Sequence, residues 1–354
     1  MSHFEERLEA DLGNIRQFVW DMGDDVERAL RQAKQALLTR DAELAYETVL
    51  GDNPINRDSR ACDRLCHTFI ARHLPGAGHL REMAATIRVN VALERIGDYA
   101  VTISRESLQL EDDLSEKFTV QIDLLADESL QILHEARKAF RDDNAESAMT
   151  LMKMAKQVEN NMDAIYDQLF AEENGMKART ALTVFVVFNL LKRVADQAKN
   201  ICDQTVYAVR GVAKLPRVYR LLFLARPGSG LGHLAAAIGR KNFPTSARFD
   251  VATPDGAEGV PPALAGFLDE TGIPDDELES LNLSHLEHDL SDYDVIIALE
   301  GRYADYVNEV PFHTTALNWS PAAPDGADGY SATYRDLHGE IQSLIDLMAG
   351  DEAA

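Results

Sequence analysis

Cysteine, positive charge and long apolar runs are all scarce in this chain of 354 residues. Three cysteines, Cys62, Cys66 and Cys202, are too few for the disulfide framework of a small secreted domain. The most apolar stretch, Ala181–Leu191, is about eleven residues, against the ~20 that a membrane-spanning helix needs. The opening MSHFEERLEADLG lacks the apolar core of a secretory signal, so a cytoplasmic location is expected. Lys and Arg number 35 against 59 Asp and Glu, a formal charge of −24. A surface so poor in cations argues against a nucleic-acid backbone as the main partner. Proline and glycine, 12 and 21, are too few to suggest disorder, and a hydrophobic share of 45% is enough for packed cores.

The charge is unevenly spread. Residues 1–220 hold 36 acidic and 29 basic residues, whereas residues 221–354 hold 23 and 6. The shift coincides with a change of hydrophobic pattern, which places a boundary near 210–217. Before it, apolar residues recur with the helical period over Phe4–Leu38, Asp41–Ala71, Gly78–Ser107, Ser115–Arg141, Asn144–Glu173 and Met176–Arg210. Pro54 should kink or restart the second of these, because it lacks an amide donor. The six fall into two matching sets of three. Ala36–Asp41 (ALLTRD) resembles Ala139–Asp143 (AFRDD), and Leu93–Asp98 (LERIGD) resembles Leu191–Asp196 (LKRVAD). Such self-similarity predicts an all-α tandem of three-helix bundles, residues 1–110 and 111–212.

After Pro216 short buried-strand candidates alternate with helices. Tyr219–Ala225, Tyr293–Leu299 and Thr314–Asn318 read as strands; Leu234–Lys241, Pro262–Thr271 and Tyr330–Met348 read as helices. Residues 244–262 and 320–330 read as loops. The alternation predicts a three-layer α/β/α domain over 217–350 with a small parallel sheet. Its first strand ends in Arg226-Pro227-Gly228-Ser229-Gly230 and opens a helix. That arrangement is either an anion loop, through Arg226, Gly228, Ser229 and Gly230, or a tight turn that uses glycine for geometry.

Glu94 and Asp98 lie one helical turn apart and leave the same face. They could share a cation or form a solvated acidic face; Asp21/Asp25 and Asp123/Asp127 have the same spacing. The surroundings of Glu94 are apolar, and Gly97 lets another backbone come close. In the second copy Asp196 is kept but Glu94 becomes Lys192, whose charge opposes a metal. Cys62 and Cys66 share a helix face but have no second pair to complete a four-ligand site, so they read as core.

Residues 1–210 resemble the PhoU family of phosphate-uptake regulators through Asp52–Asn56, Leu74-Pro75, His79-Leu80-Arg81 and above all Leu93–Asp98. The resemblance implies two three-helix bundles and iron, zinc or magnesium at third-helix carboxylates. Carried onto this chain, the first site keeps Glu94 and Asp98 with Asp52 and Asn56 nearby. The second keeps Asp196 only, with Ala155 about where Asp52 would be expected. It also implies contact with a phosphate ABC transporter ATPase and a phosphate-sensing histidine kinase, a membrane reached only through those partners, and a homodimer as one assembly.

Residues 217–350 resemble low-molecular-weight tyrosine phosphatases and their arsenate reductase relatives, through Leu221–Leu224, Leu234–Lys241, Leu264–Ile273 and Ser291–Leu299. The chemistry departs from that pattern. The nucleophilic cysteine falls at Ala225, the loop arginine at Leu231, the assisting serine at Gly232 and the general acid at Ala323, with Asp325 slightly late. Alanine cannot attack phosphorus, and no cysteine follows Cys202. The expectation is a phosphate-signalling regulator that acts through metal-dependent protein contacts, fused to an inactive phosphatase-like domain. The alternatives are a metal-dependent phosphohydrolase using the helical carboxylates, or a metal-free scaffold.

Overall fold

The computed structural model describes residues 3–160, 169, 176–211, 218–254, 256, 259–274, 278–286, 290–311, 313–324 and 329–349. The chain divides into two compact units, Met1–Lys214 and Leu215–Ala354.

The first unit is helical: α1 (His3–Thr39), α2 (Ala42–His73), α3 (Ala77–Ser107), α4 (Glu116–Arg141), α5 (Ala145–Asn160) and α6 (Ala178–Arg210). The rest of the fifth stretch lies outside the described residues apart from Leu169. Along α1, Leu12, Ile15, Val19, Met22, Val26, Leu30, Ala33 and Leu37 are buried, a stripe at three- and four-residue steps that joins one core with the other helices. The repeat is visible in backbone detail. Each first helix closes on a non-glycine residue with positive φ, Arg40 at 55° and Asp143 at 51°. Each is followed by the same six-residue closure, Asp41 N to Ala36 O at 3.1 Å and Asn144 N to Ala139 O at 2.9 Å. Asp41 and Asn144 then cap the next helix, accepting from Leu44 N at 3.0 Å and Ser147 N at 2.9 Å.

α2 runs on through Pro54, so the helix does not restart there. The Leu50 carbonyl that a residue-54 amide would have served accepts instead from Asn53 Nδ2 at 3.4 Å. The third helices α3 and α6 run antiparallel. Arg88 meets Gln204 at 3.4 Å, the Arg193 guanidinium lies 5.9 Å from the Tyr99 ring centre, and Thr183 donates to Glu106 at 3.0 Å.

The second unit is a parallel sheet of five strands: β1 (Tyr219–Leu224), β2 (Ala247–Thr253), β3 (Leu281–Asn282), β4 (Val295–Ala298) and β5 (Thr315–Asn318), in the order β3-β2-β1-β4-β5. On one face Leu221, Phe223, Val251 and Ile297 pack against α7 (Leu231–Asn242), α8 (Pro262–Glu270) and α10 (Gly329–Ala349). On the other face Leu222, Leu224, Ile296 and Ala298 are covered by α9 (Leu283–Leu286) and nearby turns. That helical layer is thin. Burial on both faces explains why β1 and β4 read as unbroken apolar runs. β2 is the main departure from the sequence reading, which made 244–262 a loop. Arg248 is exposed and Asp250 half-buried between buried Phe249 and Val251, so the strand alternates and was hidden by the glycines and prolines after it. α7 also starts three residues early, directly on Gly230, whose φ is 72°.

Candidate functional site

The carboxylate face forms where α2 crosses α3. Gly97 makes the crossing close: a Cβ placed there would sit 3.4 Å from Ile55 and 3.5 Å from Asp52 Oδ1. The approach brings Asp52 of α2 up to Glu94 and Asp98 of α3. Asn56, one turn beyond Asp52, donates to its Oδ2. Asp52 Oδ1 is buried without a hydrogen-bond partner.

The Asp98 charge disfavours ionisation of both Asp52 and Glu94. Burial pushes the Asp52 carboxyl above its ordinary value and the Asp98 charge adds to the rise, while Asn56 and Arg105 pull it back. Glu94 is pushed up by burial, then by Asp98 and Asp52, with Arg95 opposing. A carboxyl whose proton affinity rises on folding is penalised above its folded pKa, and that penalty fades as pH falls through the folded value. Asp98→Asn removes one of the mutually repelling charges. It should therefore stabilise the helical unit at neutral pH by about 0.5 kcal/mol at low salt, after discounting for solvent screening. Urea denaturation at pH 7 and low ionic strength would measure this, and a less stable variant would contradict it.

The metal residues expected from the sequence are Glu94 and Asp98 with Asp52 in the first copy and Asp196 alone in the second, and the structure brings the first three together. Among the described residues no three or more His, Cys, Asp or Glu side chains are placed to hold a metal ion. In the first patch the Asp98 charge opposes ionisation of both Glu94 and Asp52, and Asp52 Oδ1 has no hydrogen-bond partner. In the second copy Asp196 stands on α6 one turn after Lys192, and Ala155 on α5 is buried and offers no donor. Cys62 and Cys66 are fully buried in the helical core. Their mutual hydrogen bond and burial push the Cys62 thiol strongly upward, away from the thiolate that metals bind.

In the second unit the loop after β1 has spent much of its hydrogen-bonding capacity. Arg226 N donates to Glu300 Oε2 at 2.9 Å, Pro227 has no amide hydrogen, Ser229 N donates to Arg226 O at 3.2 Å, and Leu231 N donates to Ser229 Oγ at 3.4 Å. Gly228 and Gly230 hold φ of 73° and 72°, the geometry of the turn. Ala225 is buried where the nucleophile of the resembled family would stand. Asp325 lies outside the described residues.

Sequence reasoning passed over two features. Glu300 follows β4 and faces the β1 loop because β1 and β4 are neighbours in the sheet; its place at the end of an apolar strand was the available signal. The other is a charged seam between α1 and α4. There Glu27 accepts from Arg137, from Arg31 at 2.7 Å and from His134 at 3.2 Å.

Comparison with known proteins bears on the helical unit. The PhoU domain family profile matches residues 19–107 and 122–205, one match in each three-helix set. The "Phosphate-specific transport system accessory protein PhoU" of Serratia marcescens is 31% identical over 211 residues, covering 59% of this chain and 87% of that protein. Its counterpart in Escherichia coli (strain K12) is 29% identical over 211 residues, covering 59% and 88%. The crystal structure of PhoU from Pseudomonas aeruginosa superposes with a TM-score of 0.55 at 28% identity, covering 58% of this chain and 99% of that one. That of the phosphate transport system regulatory protein PhoU from Streptococcus pneumoniae gives 0.55 at 25% identity, over 58% and 99%. With two profile matches in tandem and a relative above 30% identity spanned almost end to end, this chain belongs to the PhoU family.

Proposed function

We propose that the protein regulates phosphate uptake and phosphate-starvation signalling by protein contact, without a resident metal. The observation that carries this reading is the family's helical repeat combined with third-helix carboxylates that repel one another. The similar proteins named for the phosphate-specific transport system supply the process. The exposed face around Glu94 and Asp98 supplies a surface for a cationic partner. The partners expected from the family are a phosphate ABC transporter ATPase and a phosphate-sensing histidine kinase, met at the cytoplasmic side of the membrane. No described helix is long and apolar enough to cross a membrane itself.

The second unit enters this proposal as a phosphatase-like domain without phosphatase chemistry. Ala225, Leu231 and Gly232 replace the thiol, the phosphate-clamping guanidinium and the assisting hydroxyl of the resembled family. The Glu300 carboxylate on Arg226 N supports a closed turn over the anion loop expected at Arg226, Gly228, Ser229 and Gly230. The role left to the domain is an acidic binding face. Deleting the gene tests the proposal: phosphate uptake and phosphate-starvation genes should stay active under phosphate excess. Unchanged uptake and expression would refute it.

A further inference from the structure

We infer that the groove between α10 and the loop after β5 binds a zwitterionic α-amino acid with a large apolar side chain. The groove has a volume of about 450 Å³, within the range of ligand sites. It opens beside Trp319 at the carboxyl end of β5, the end of a parallel sheet where α/β domains take their ligands.

The walls are held in place from both sides. Trp319 N donates to the Ala298 carbonyl at 2.8 Å, and its ring centre lies 6.1 Å from that of Phe223. Ala322 ties the loop to α10: its carbonyl accepts from Thr333 at 2.6 Å and its amide donates to Asp336 at 3.3 Å. Gly339, inside α10, lines the groove, and a Cβ there would meet nothing within 4 Å. Glycine weakens a helix interior, and no close packing requires it here. Its effect is to leave the floor of the groove open.

The lining carries both signs of charge without pairing them. Arg335 commits only Nε, to the Ser331 carbonyl at 3.2 Å, and forms no ion pair among the described residues. It does so in a stretch, residues 221–354, that holds 23 acidic and 6 basic residues. Glu340, also in the lining, makes neither a hydrogen bond nor an ion pair among the described residues. A ligand of a single charge would meet one of these groups as its like. A dipolar ligand suits both, with its carboxylate on the Arg335 fork and its ammonium on Glu340. Trp319 offers the side chain a flat apolar wall. Such a ligand would give the second unit an input of its own, beside the contacts proposed for the helical unit.

Calorimetric titration of the full chain with L-phenylalanine tests this, beside phenethylamine, phenylpropionate and glycine at equal ionic strength. L-phenylalanine should bind, with the other three each ~10-fold weaker or more, since each lacks one of the three contacts. Arg335→Gln and Glu340→Gln should each weaken it by about 10-fold. Gly339→Leu, which fills the floor and favours the helix, should abolish binding while urea resistance is kept, which separates a blocked groove from an unfolded one. No binding of L-phenylalanine, or binding indifferent to Gly339→Leu, would overturn the site. Phenethylamine or phenylpropionate binding as tightly as L-phenylalanine would overturn the ligand class.

Discussion

Arg137→Ala should destabilise the helical unit by about 3–5 kcal/mol, because it strips a buried carboxylate of its closest partner. Arg137 and Glu27 are each only 3% exposed, one on α4 and the other on α1. The arginine also donates to Asp24 at 2.8 Å and to the Trp20 carbonyl at 2.7 Å. Its guanidinium lies 4.4 Å from the Trp20 ring centre, with Arg141 at 4.0 Å. Gly23 makes room for this stack: a Cβ there would overlap the guanidinium. Loss of the arginine leaves Glu27 with the more exposed Arg31 and His134 alone, so much of the desolvation cost goes uncompensated. The double variant Glu27→Gln/Arg137→Met should recover most of the loss, since a buried pair replaced by well-packed neutral groups is often near neutral. Urea denaturation of the three variants measures both effects. A cost below about 1 kcal/mol for Arg137→Ala would mean that the seam tolerates an unpaired Glu27. The seam joins the two repeats through their first helices, α1 and α4.

The second large effect is expected in the other unit. Gly239 lies on α7 where that helix presses on β2, and a Cβ there would come within 2.6 Å of Phe249 ring atoms. Phe249 is buried and stacked on Phe223, with ring centres 6.2 Å apart, so it has little freedom to yield. Gly239→Ala should cost about 1–3 kcal/mol by overpacking, despite the higher helix propensity of alanine. Hydrogen exchange in β1 and β2 would register this as faster opening. Unchanged protection would show that α7 can shift away from the sheet.

The helical half was largely legible because long amphipathic helices repeat their apolar positions many times. Leu93 and Ile96 are buried at the places their spacing assigns. The central strands were legible because β1 and β4 are apolar on both faces. β2 was hidden because three of its seven residues are polar, one of them for reasons of partnership: Asp250 accepts from Tyr293 at 3.2 Å and lies 3.7 Å from Arg220 and Arg240. Those partners are distant in sequence. The carboxylate pair Glu94/Asp98 could be read from helical spacing, whereas the contribution of Asp52 depended on how closely α2 crosses at Gly97. Whether those oxygens converge on a cation depends on side-chain placement, which periodicity does not set. The Glu27 seam was illegible for the same reason, since its partners come from both repeats.

The regulator proposed here carries a repelling carboxylate face and no resident metal. Elemental analysis of the purified, untagged full chain tests that claim most directly. The expected result is far less than one iron, zinc or magnesium per chain, unchanged in Asp98→Asn. One or more equivalents of a metal, lost in Asp98→Asn, would contradict it and make the carboxylate face a metal site.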